Sequence, residues 1–443
     1  MDYTALPTDC ELDNYIIDGV LDQGGFAITY LAHEKITKTR VVIKENFPKA
    51  YAHRIESSHA VCPRNKSAER GFEWSQKHFI NEAKILAELN HPNIVKVLTA
   101  FKGNGTAYYV MPSIEGTNLY KRTPANHEIT EEGLMRILQQ LLSALRYLHD
   151  RELLHRDIKP ENILLTAKGT PILIDFGLAR YTERISSVCA ITPSYSPPEQ
   201  FSKQKNMQGP WSDLYSLGAT CYYLITGEDP LDSRERDKNA PLVPLIQNAE
   251  LRKRFSNRLL LSIDKALSFC STDRWQNAQE WLDYLNLSRE ECDANLHDAA
   301  IVGNAGYLYL LLNAGADVNS TDEHGHTPLY SASDYGHDEC VRLLLTAPDI
   351  DVNQADREGR TPLINAAENG HDECVRLLLT APDIDVNQAD REGRTPLINA
   401  AENGHDKCVR LLLTAPDIDV NQADREGRTP LINAAENGHD ECV

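Results

Sequence analysis

Short apolar runs punctuate the first quarter of the chain. Residues 15–20, 27–32, 41–43 and 108–111 are built largely from Val, Ile, Tyr and Ala and predict strands. The first two flank Asp22-Gln23-Gly24-Gly25-Phe26-Ala27, which taken alone reads as a hairpin turn. A helical spacing then takes over. Phe79, Ile80, Ala83, Leu86, Ala87 and Leu89 predict a helix over 79–89, and residues 134–149 predict an amphipathic one. Residues 52–77, ahead of the first helix, form an unusually long connection, expected to be functional or disordered. A short apolar hairpin is predicted at 163–165 and 171–174, and a further helix at 281–287.

From about residue 295 the period lengthens. His337, His371, His405 and His439 are spaced by 34, and Gly359-Arg360-Thr361-Pro362-Leu363 recurs at 393 and 427. Each unit predicts two helices, Thr-Pro opening the first and Gly-His the second, with a turn between units. The run Thr-Pro-Leu-x-x-Ala-x-x-x-Gly-His resembles the ankyrin repeat. That resemblance implies an all-α solenoid over 295–443 that recruits a protein partner. Tyr330, Ile364, Ile398 and Ile432 stand where ankyrin repeats usually have His, a change expected to weaken one local hydrogen-bond network and keep the apolar face. Residues 349–374, 383–408 and 417–442 differ only at Lys407, the mark of recent duplication. The last copy stops where the earlier ones continue into Arg-Leu-Leu-Leu, so it is expected to be half built, as in a truncated gene or a fragment.

Length and charge sharpen this division. At 443 residues the chain is too long for one ordinary core and predicts two to three domains. Of its net charge of −20, −18 falls from Asp293 onward, where 28 acidic residues face 10 basic ones. Such acidity suits a solvated surface or a basic protein partner, and disfavours nucleic acid. The chain has no run of eighteen apolar residues, and Met1 to Cys10 lack a basic flank and an apolar stretch. A soluble, cytoplasmic protein with no membrane partner is expected. The ten cysteines show no C-x-x-C or metal-ligand spacing, and Cys340, Cys374, Cys408 and Cys442 share one repeat position, where they read as buried packing residues in a reducing compartment.

The densest chemistry lies at His155-Arg156-Asp157-Ile158-Lys159-Pro160-Glu161-Asn162, with Asp175-Phe176-Gly177 beginning thirteen residues after Asn162. One carboxylate sits beside a Lys and an Asn, and a second lies across the apolar hairpin. Phosphoryl transfer asks for positioning and charge compensation, so one loop must present a base, a cation and a metal ligand together. These eight contiguous residues, with Asp-Phe-Gly at this distance, resemble the protein kinases, and Lys159 two residues after Asp157 follows the serine/threonine pattern. Residues 25–30, 44–48 and 104–108 resemble a bacterial branch of that family, which implies a bacterial source.

The resemblance implies an α+β bilobal kinase fold over 14–287, with lobes of about 14–112 and 113–287, between a lead at 1–13 and a short linker at 288–294. It implies ATP and Mg²⁺ as cofactors, with Mn²⁺ as a substitute. By motif position it makes Asp157 the catalytic base assisted by Lys159, Asn162 and Asp175 the metal ligands, and Lys44 the phosphate-binding lysine paired with Glu82. Thr192 matches the residue that hydrogen-bonds the catalytic Asp and Lys. Gly24, Gly25 and Phe26 fall in the phosphate-covering loop, Met111 at the gatekeeper position, Ile114 at the adenine hinge and Leu164 at the adenine floor. Asp213 matches the aspartate that braces the catalytic loop, and Glu199 with Arg274 a structural ion pair. Departures lie in the covering loop, where Asp22 and Ala27 replace two glycines, and in the adenine roof at Thr29 and Val42. Ser187, or failing that Ser186, is the expected loop phosphosite meeting Arg156, since Val188 occupies the usual position; a loop ordered by its own packing is the alternative. The reading is a protein kinase fused to an ankyrin recognition array. Its rivals are a pseudokinase scaffold and a protein in which both modules serve only as interaction surfaces.

Overall fold

Strand pairing in the first lobe sets where the candidate site residues stand. The computed structural model describes residues 4–122, 129–176, 180–181, 192–201, 207–236 and 242–443, and the chain divides into two compact units, 1–285 and 286–443. The strands expected from the apolar runs form as β2 (Tyr15–Gln23), β3 (Ala27–Glu34), β4 (Arg40–Asn46) and β8 (Thr106–Pro112), joined by β1 (Glu11–Leu12) and β7 (Thr99–Gly103), which those runs did not foretell. Among the described residues they make one antiparallel sheet of order β1-β2-β3-β4-β8-β7. Lys44 lies opposite Tyr109 and Glu45 opposite Tyr108. Because side chains alternate between the two faces of a strand, the first pair faces one side of the sheet and the second pair the other.

The long connection at 52–77 is ordered in two parts. β5 (Ala52–Arg54) pairs with β6 (Val61–Pro63), and the helix α1 runs Glu69–Glu88, starting a full ten residues ahead of the predicted 79. Its extra turns are held from inside. Phe72 and Ser75 are buried, the Ser75 hydroxyl bonds Asn46 Oδ1 at 2.7 Å, and Gln76 Nε2 donates to Gly105 O at 2.6 Å. The residues expected as a free lead also join the lobe: β1 pairs with β2, and Leu6 packs with Ile17, Tyr30, Ile43, Ala52 and Val61 in one cluster. That cluster surrounds a fully buried ion pair, Arg54 with Glu45. The Tyr30 and Tyr108 hydroxyls each donate to Glu45 at 2.6 Å, and Arg54 donates to the Thr4 and His59 carbonyls at 2.8 Å.

Between β7 and β8 the chain turns at Asn104 (φ 48°) and Gly105 (φ 70°), the pair of left-handed residues that a two-residue hairpin needs. Val61 N–H donates to Asn104 O at 2.7 Å, and a Cβ on Gly105 would sit 2.6 Å from Val61 O. Gly105→Ala is therefore expected to destabilise the lobe by about 1–3 kcal/mol. A denaturation midpoint unchanged from wild type would show that the hairpin simply moves aside.

The second lobe is mainly helical. β9 (Gly116–Asn118) leads to α2 (Leu119–Arg122), and α3 (Glu131–His149) follows, its start capped by Thr130 Oγ1, which accepts from Gly133 N. β10 (Leu153–Leu154) and β11 (Ile163–Thr166) flank the catalytic loop; β12 (Pro171–Leu173) completes the expected hairpin, and β13 (Arg180–Tyr181) pairs with β10. α4 (Pro210–Thr226) is buried on nearly every side and forms the lobe's axis. Against it pack α3 and α6 (Asn257–Ala266), with α5 (Ala249–Arg254) preceding α6 in the chain and α7 (Ala278–Asn286) following it. Trp275 stacks on Trp281 and donates its indole N–H to Ser262 O at 2.8 Å.

The second unit begins with α8 (Arg289–Val302), so the stretch expected as a linker, 288–294, is helical instead. Ser288 accepts from Glu291 N and its own N–H donates to the Glu291 carboxylate, a capping box, while Cys292 is fully buried. After α9 (Ala305–Asn313) the repeats supply helix pairs: α10 (Pro328–Asp334) with α11 (Asp338–Leu344), α12 (Pro362–Glu368) with α13 (Asp372–Leu378), α14 (Pro396–Glu402) with α15 (Asp406–Leu412), then α16 (Pro430–Glu436). Thr327, Thr361 and Thr395 each cap a first helix, with Pro at its first position. Gly336, Gly370 and Gly404 end those helices near φ 73°, and the His of the following repeat packs where a Cβ would lie, 2.6 Å from its Nδ1.

Two further contacts tie each repeat to the next. His371 Nε2 meets Asp334 O at 3.0 Å, and His405 Nε2 meets Glu368 O at 2.9 Å. The Asn353 side chain donates to Asp383 O at 2.6 Å and accepts from Asp385 N at 2.9 Å; Asn319 and Asn387 do the same one repeat earlier and later. Cys340, Cys374 and Cys408 are buried as expected, whereas Cys442 is only partly so because less of the stack covers it. Where the later repeats have Ile, the Tyr330 hydroxyl donates to Asp356 at 3.0 Å.

Candidate active site

Lys44 projects from β4 into a nest of acceptors. Its ammonium lies 2.8 Å from Asp175 Oδ1 and 3.4 Å from Glu82 Oε1 on α1. Burial works against that ammonium, but the carboxylates of Asp175 and Glu82 outweigh it and hold its pKa well above the usual lysine range. Burial also pushes the Glu82 carboxyl up, opposed by Lys44. Tyr109, buried opposite Lys44 in the sheet, donates its hydroxyl to the same Glu82 oxygen at 2.8 Å.

The catalytic loop is shaped from beneath by Asp213 on α4. Its carboxylate accepts from His155 N at 2.9 Å, Arg156 N at 2.8 Å and His149 Nε2 at 2.9 Å. Burial alone would raise this carboxyl; the His149 hydrogen bond and charge, with His155 and the Arg156 amide, keep it below the ordinary value. Arg156 has φ 69°, costly for a residue with a side chain, and two successive N–H groups converging on one carboxylate are what hold it there. Further along the loop, Asp157 Oδ2 lies 2.8 Å from Asn162 Nδ2 and 3.0 Å from Lys159 Nζ. Lys159 donates to Thr192 Oγ1 at 2.8 Å, and Thr192 in turn reaches Asp157 Oδ1 at 3.4 Å. Asp157, Lys159 and Thr192 thus form one closed cluster.

The apolar hairpin sets the second carboxylate. Ile163 pairs with Leu173, and Ile174 N–H donates to Asn162 O at 3.0 Å, so Asn162 and Asp175 both lie at its open end. Asn162 turns its amide nitrogen toward Asp157, leaving Oδ1 as its remaining polar atom, and the Asp175 side chain is 40% exposed. These are hard oxygen donors. Among the described residues no three His, Cys, Asp or Glu side chains converge on one point. A donor set of this kind suits Mg²⁺, which is commonly held by one or two side chains together with water and phosphate oxygens.

Other expected residues are placed as follows. Phe176 packs against His155 with ring centroids 4.5 Å apart. Glu199 pairs with Arg274 at 2.8 Å and accepts from Ser212, deep in the second lobe. Met111 is buried opposite Val42 at the end of β8, Ile114 lies between β8 and β9, and Leu164 pairs with Asn118. Asp22 pairs with Thr29 and Ala27 with Asn46 in the covering hairpin. Neither Gly24 nor Gly25 has a positive φ, so this hairpin does not use glycine for backbone freedom. It is pinned instead by β4 and its continuation, Phe47 N donating to Phe26 O and Lys49 N to Gly25 O, each at 2.9 Å. Gly177, Ser186 and Ser187 lie outside the described residues.

Sequence reasoning missed Tyr109, His149, and the Arg54–Glu45 pair. Tyr109 could have been found from strand register, which sets it opposite Lys44; the others depend on contacts between distant segments and left no local signal.

Comparison with known proteins adds the following. The family model described as protein kinase domain matches residues 15–284, and that for ankyrin repeats (3 copies) matches 296–390 and 382–443. Serine/threonine-protein kinase PknA of Nostoc sp. is 30% identical over 291 residues, covering 62% of this chain and 48% of that protein. Serine/threonine-protein kinase SIK2 of Gallus gallus is 29% identical over 59% of this chain and 29% of its own length. The chain therefore spans less than half of these curated relatives. Among solved structures, the PpkA-294 apo form is similar with a TM-score of 0.56 and 32% identity, over 64% of this chain and 100% of that one.

Proposed function

Because the chain belongs to the protein kinase family, with that domain over residues 15–284 and ankyrin repeats after it, we propose that it is an ATP-dependent serine/threonine kinase acting on protein substrates. The observation that carries the proposal is the joint assembly of Lys44 with Glu82 and Asp175, and of Asp157 with Lys159, Asn162 and Thr192. Mg²⁺-bound ATP supplies the transferable phosphoryl group and spreads its charge over coordinated oxygens. Asn162 and Asp175 hold the metal in this reading, and Lys44, oriented by Glu82, binds the phosphates. Asp157 positions the acceptor hydroxyl and takes its proton on a carboxylate oxygen, while Lys159 and Thr192 fix that carboxylate. Met111, Ile114 and Leu164 line the adenine side.

The ankyrin array recruits the substrate or a partner, and its −18 charge favours a basic one. Among the described residues no helix is long and apolar enough to cross a membrane. Labelled ATP with Mg²⁺ tests the proposal through autophosphorylation or transfer to a generic acceptor protein. A scaffold without transfer draws its support from Asp22 and Ala27 in the covering hairpin and from Val42 in the adenine roof, and absence of label in wild-type protein would favour it. Asp22→Asn removes a negative charge from that hairpin and is expected to lower the KM for ATP about threefold. Nucleotide titration giving the same value for both proteins would mean that the hairpin does not cover phosphate.

A further inference from the structure

Tyr109 occupies a singular place in the first lobe. It is fully buried on the face of the sheet that carries Lys44, and the two residues are direct cross-strand partners. Its ring stacks on Phe79 of α1 with centroids 4.8 Å apart, and its hydroxyl reaches Glu82, three residues further along the same helix face. The oxygen it bonds, Glu82 Oε1, is the one that Lys44 approaches. A buried tyrosine needs a partner for its hydroxyl, and a backbone carbonyl would have satisfied it. Here the partner is instead a buried carboxylate on another element, which the lysine ammonium approaches to 3.4 Å.

We infer that Tyr109 is a positioning residue: its hydroxyl fixes the Glu82 carboxylate where Lys44 meets it, so the sheet itself assembles the lysine–glutamate pair. Two contacts at the other end of α1, Ser75 with Asn46 and Gln76 with Gly105 O, hold the helix against the same sheet and leave Glu82 little freedom to swing away. The pair is thereby preorganised within the lobe. This inference rests on the kinase reading given above.

A double-mutant cycle on the full chain tests it. Tyr109→Phe keeps the ring against Phe79 and removes only the hydroxyl. It is expected to lower kcat/KM for ATP about tenfold, mainly through kcat because the adenine and metal contacts are untouched, and to speed amide exchange around Glu82 in α1. In a Glu82→Ala background the same change is expected to alter kcat/KM by less than twofold and to add nothing to the exchange. Glu82→Gln keeps an acceptor for the hydroxyl and is expected to retain near wild-type exchange while losing catalysis. Unaltered kinetics and exchange in Tyr109→Phe, or equal effects in both backgrounds, would overturn the inference and leave the kinase reading standing. Failure of the wild type to transfer phosphate would overturn the kinase reading instead, and the exchange measurements would still decide the role of Tyr109.

Discussion

Asp157→Asn is expected to reduce phosphoryl transfer about a thousandfold with little change in stability. The substitution is isosteric, and an amide oxygen turned toward Asn162 Nδ2 and Lys159 Nζ preserves the contacts that the carboxylate makes at 2.8 and 3.0 Å. What disappears is the basic lone pair and the negative charge beside the acceptor hydroxyl. Lys44→Met and Asp175→Ala attack the nucleotide side of the same cluster and are expected to abolish transfer. Both variants leave the apolar cores of the lobes untouched. Label transfer from ATP reads the loss, and a thermal melt alongside it separates lost chemistry from lost fold. Wild-type rates in any of the three would remove the basis for the kinase assignment.

Arg54→Ala is expected to cost the first lobe about 3–5 kcal/mol, as breaking a buried ion pair does. Arg54 and Glu45 have no exposed side-chain surface, so the truncation leaves a buried carboxylate without its guanidinium. Two tyrosine hydroxyls would remain on Glu45, too few to offset an isolated buried carboxylate. The same change releases the Thr4 and His59 carbonyls, so the N-terminal segment and the β5–β6 hairpin should loosen together. Arg54→Met combined with Glu45→Gln removes both charges, keeps an acceptor for the tyrosines, and should recover at least half of the loss. Urea-dependent hydrogen exchange in β3 and β4 measures this within the lobe. An Arg54→Ala protein as stable as wild type would show that the pair contributes nothing.

How far residues alone foretold this molecule depended on whether a contact was local. The cluster around Asp157 was legible because its eight residues are contiguous and their spacing to Asp175 is set by one hairpin. The repeats were legible because a 34-residue period survives without any knowledge of packing. The start of α1 was not, since Ser75 looks like a solvent-facing residue and is buried only because Asn46 awaits it. Arg54 misleads in the same way: charge normally signals exposure, and its partner Glu45 sits on another strand. The helix over 288–294 carried a usable signal in Ser288 and Glu291, outweighed by the polarity of its neighbours. Tyr109 and Glu82 are 27 residues apart, and only the pairing of β4 with β8 shows that they share one task.

The asparagine contacts between repeats have a consequence for how such a protein can change over generations. Asn319, Asn353 and Asn387 each reach forward to the backbone of the next unit, to a carbonyl and an N–H that any residue but proline provides. A junction of this kind works like a universal plug: one unit brings the side chain and the other needs only its peptide chain. A segment of DNA encoding one unit can therefore be copied in frame and spliced in without any compensating substitution at the new seams. The three nearly identical copies are what that freedom produces. The length of the repeat array becomes a quantity that recombination can extend or shorten in single steps, while the first unit stays unaltered.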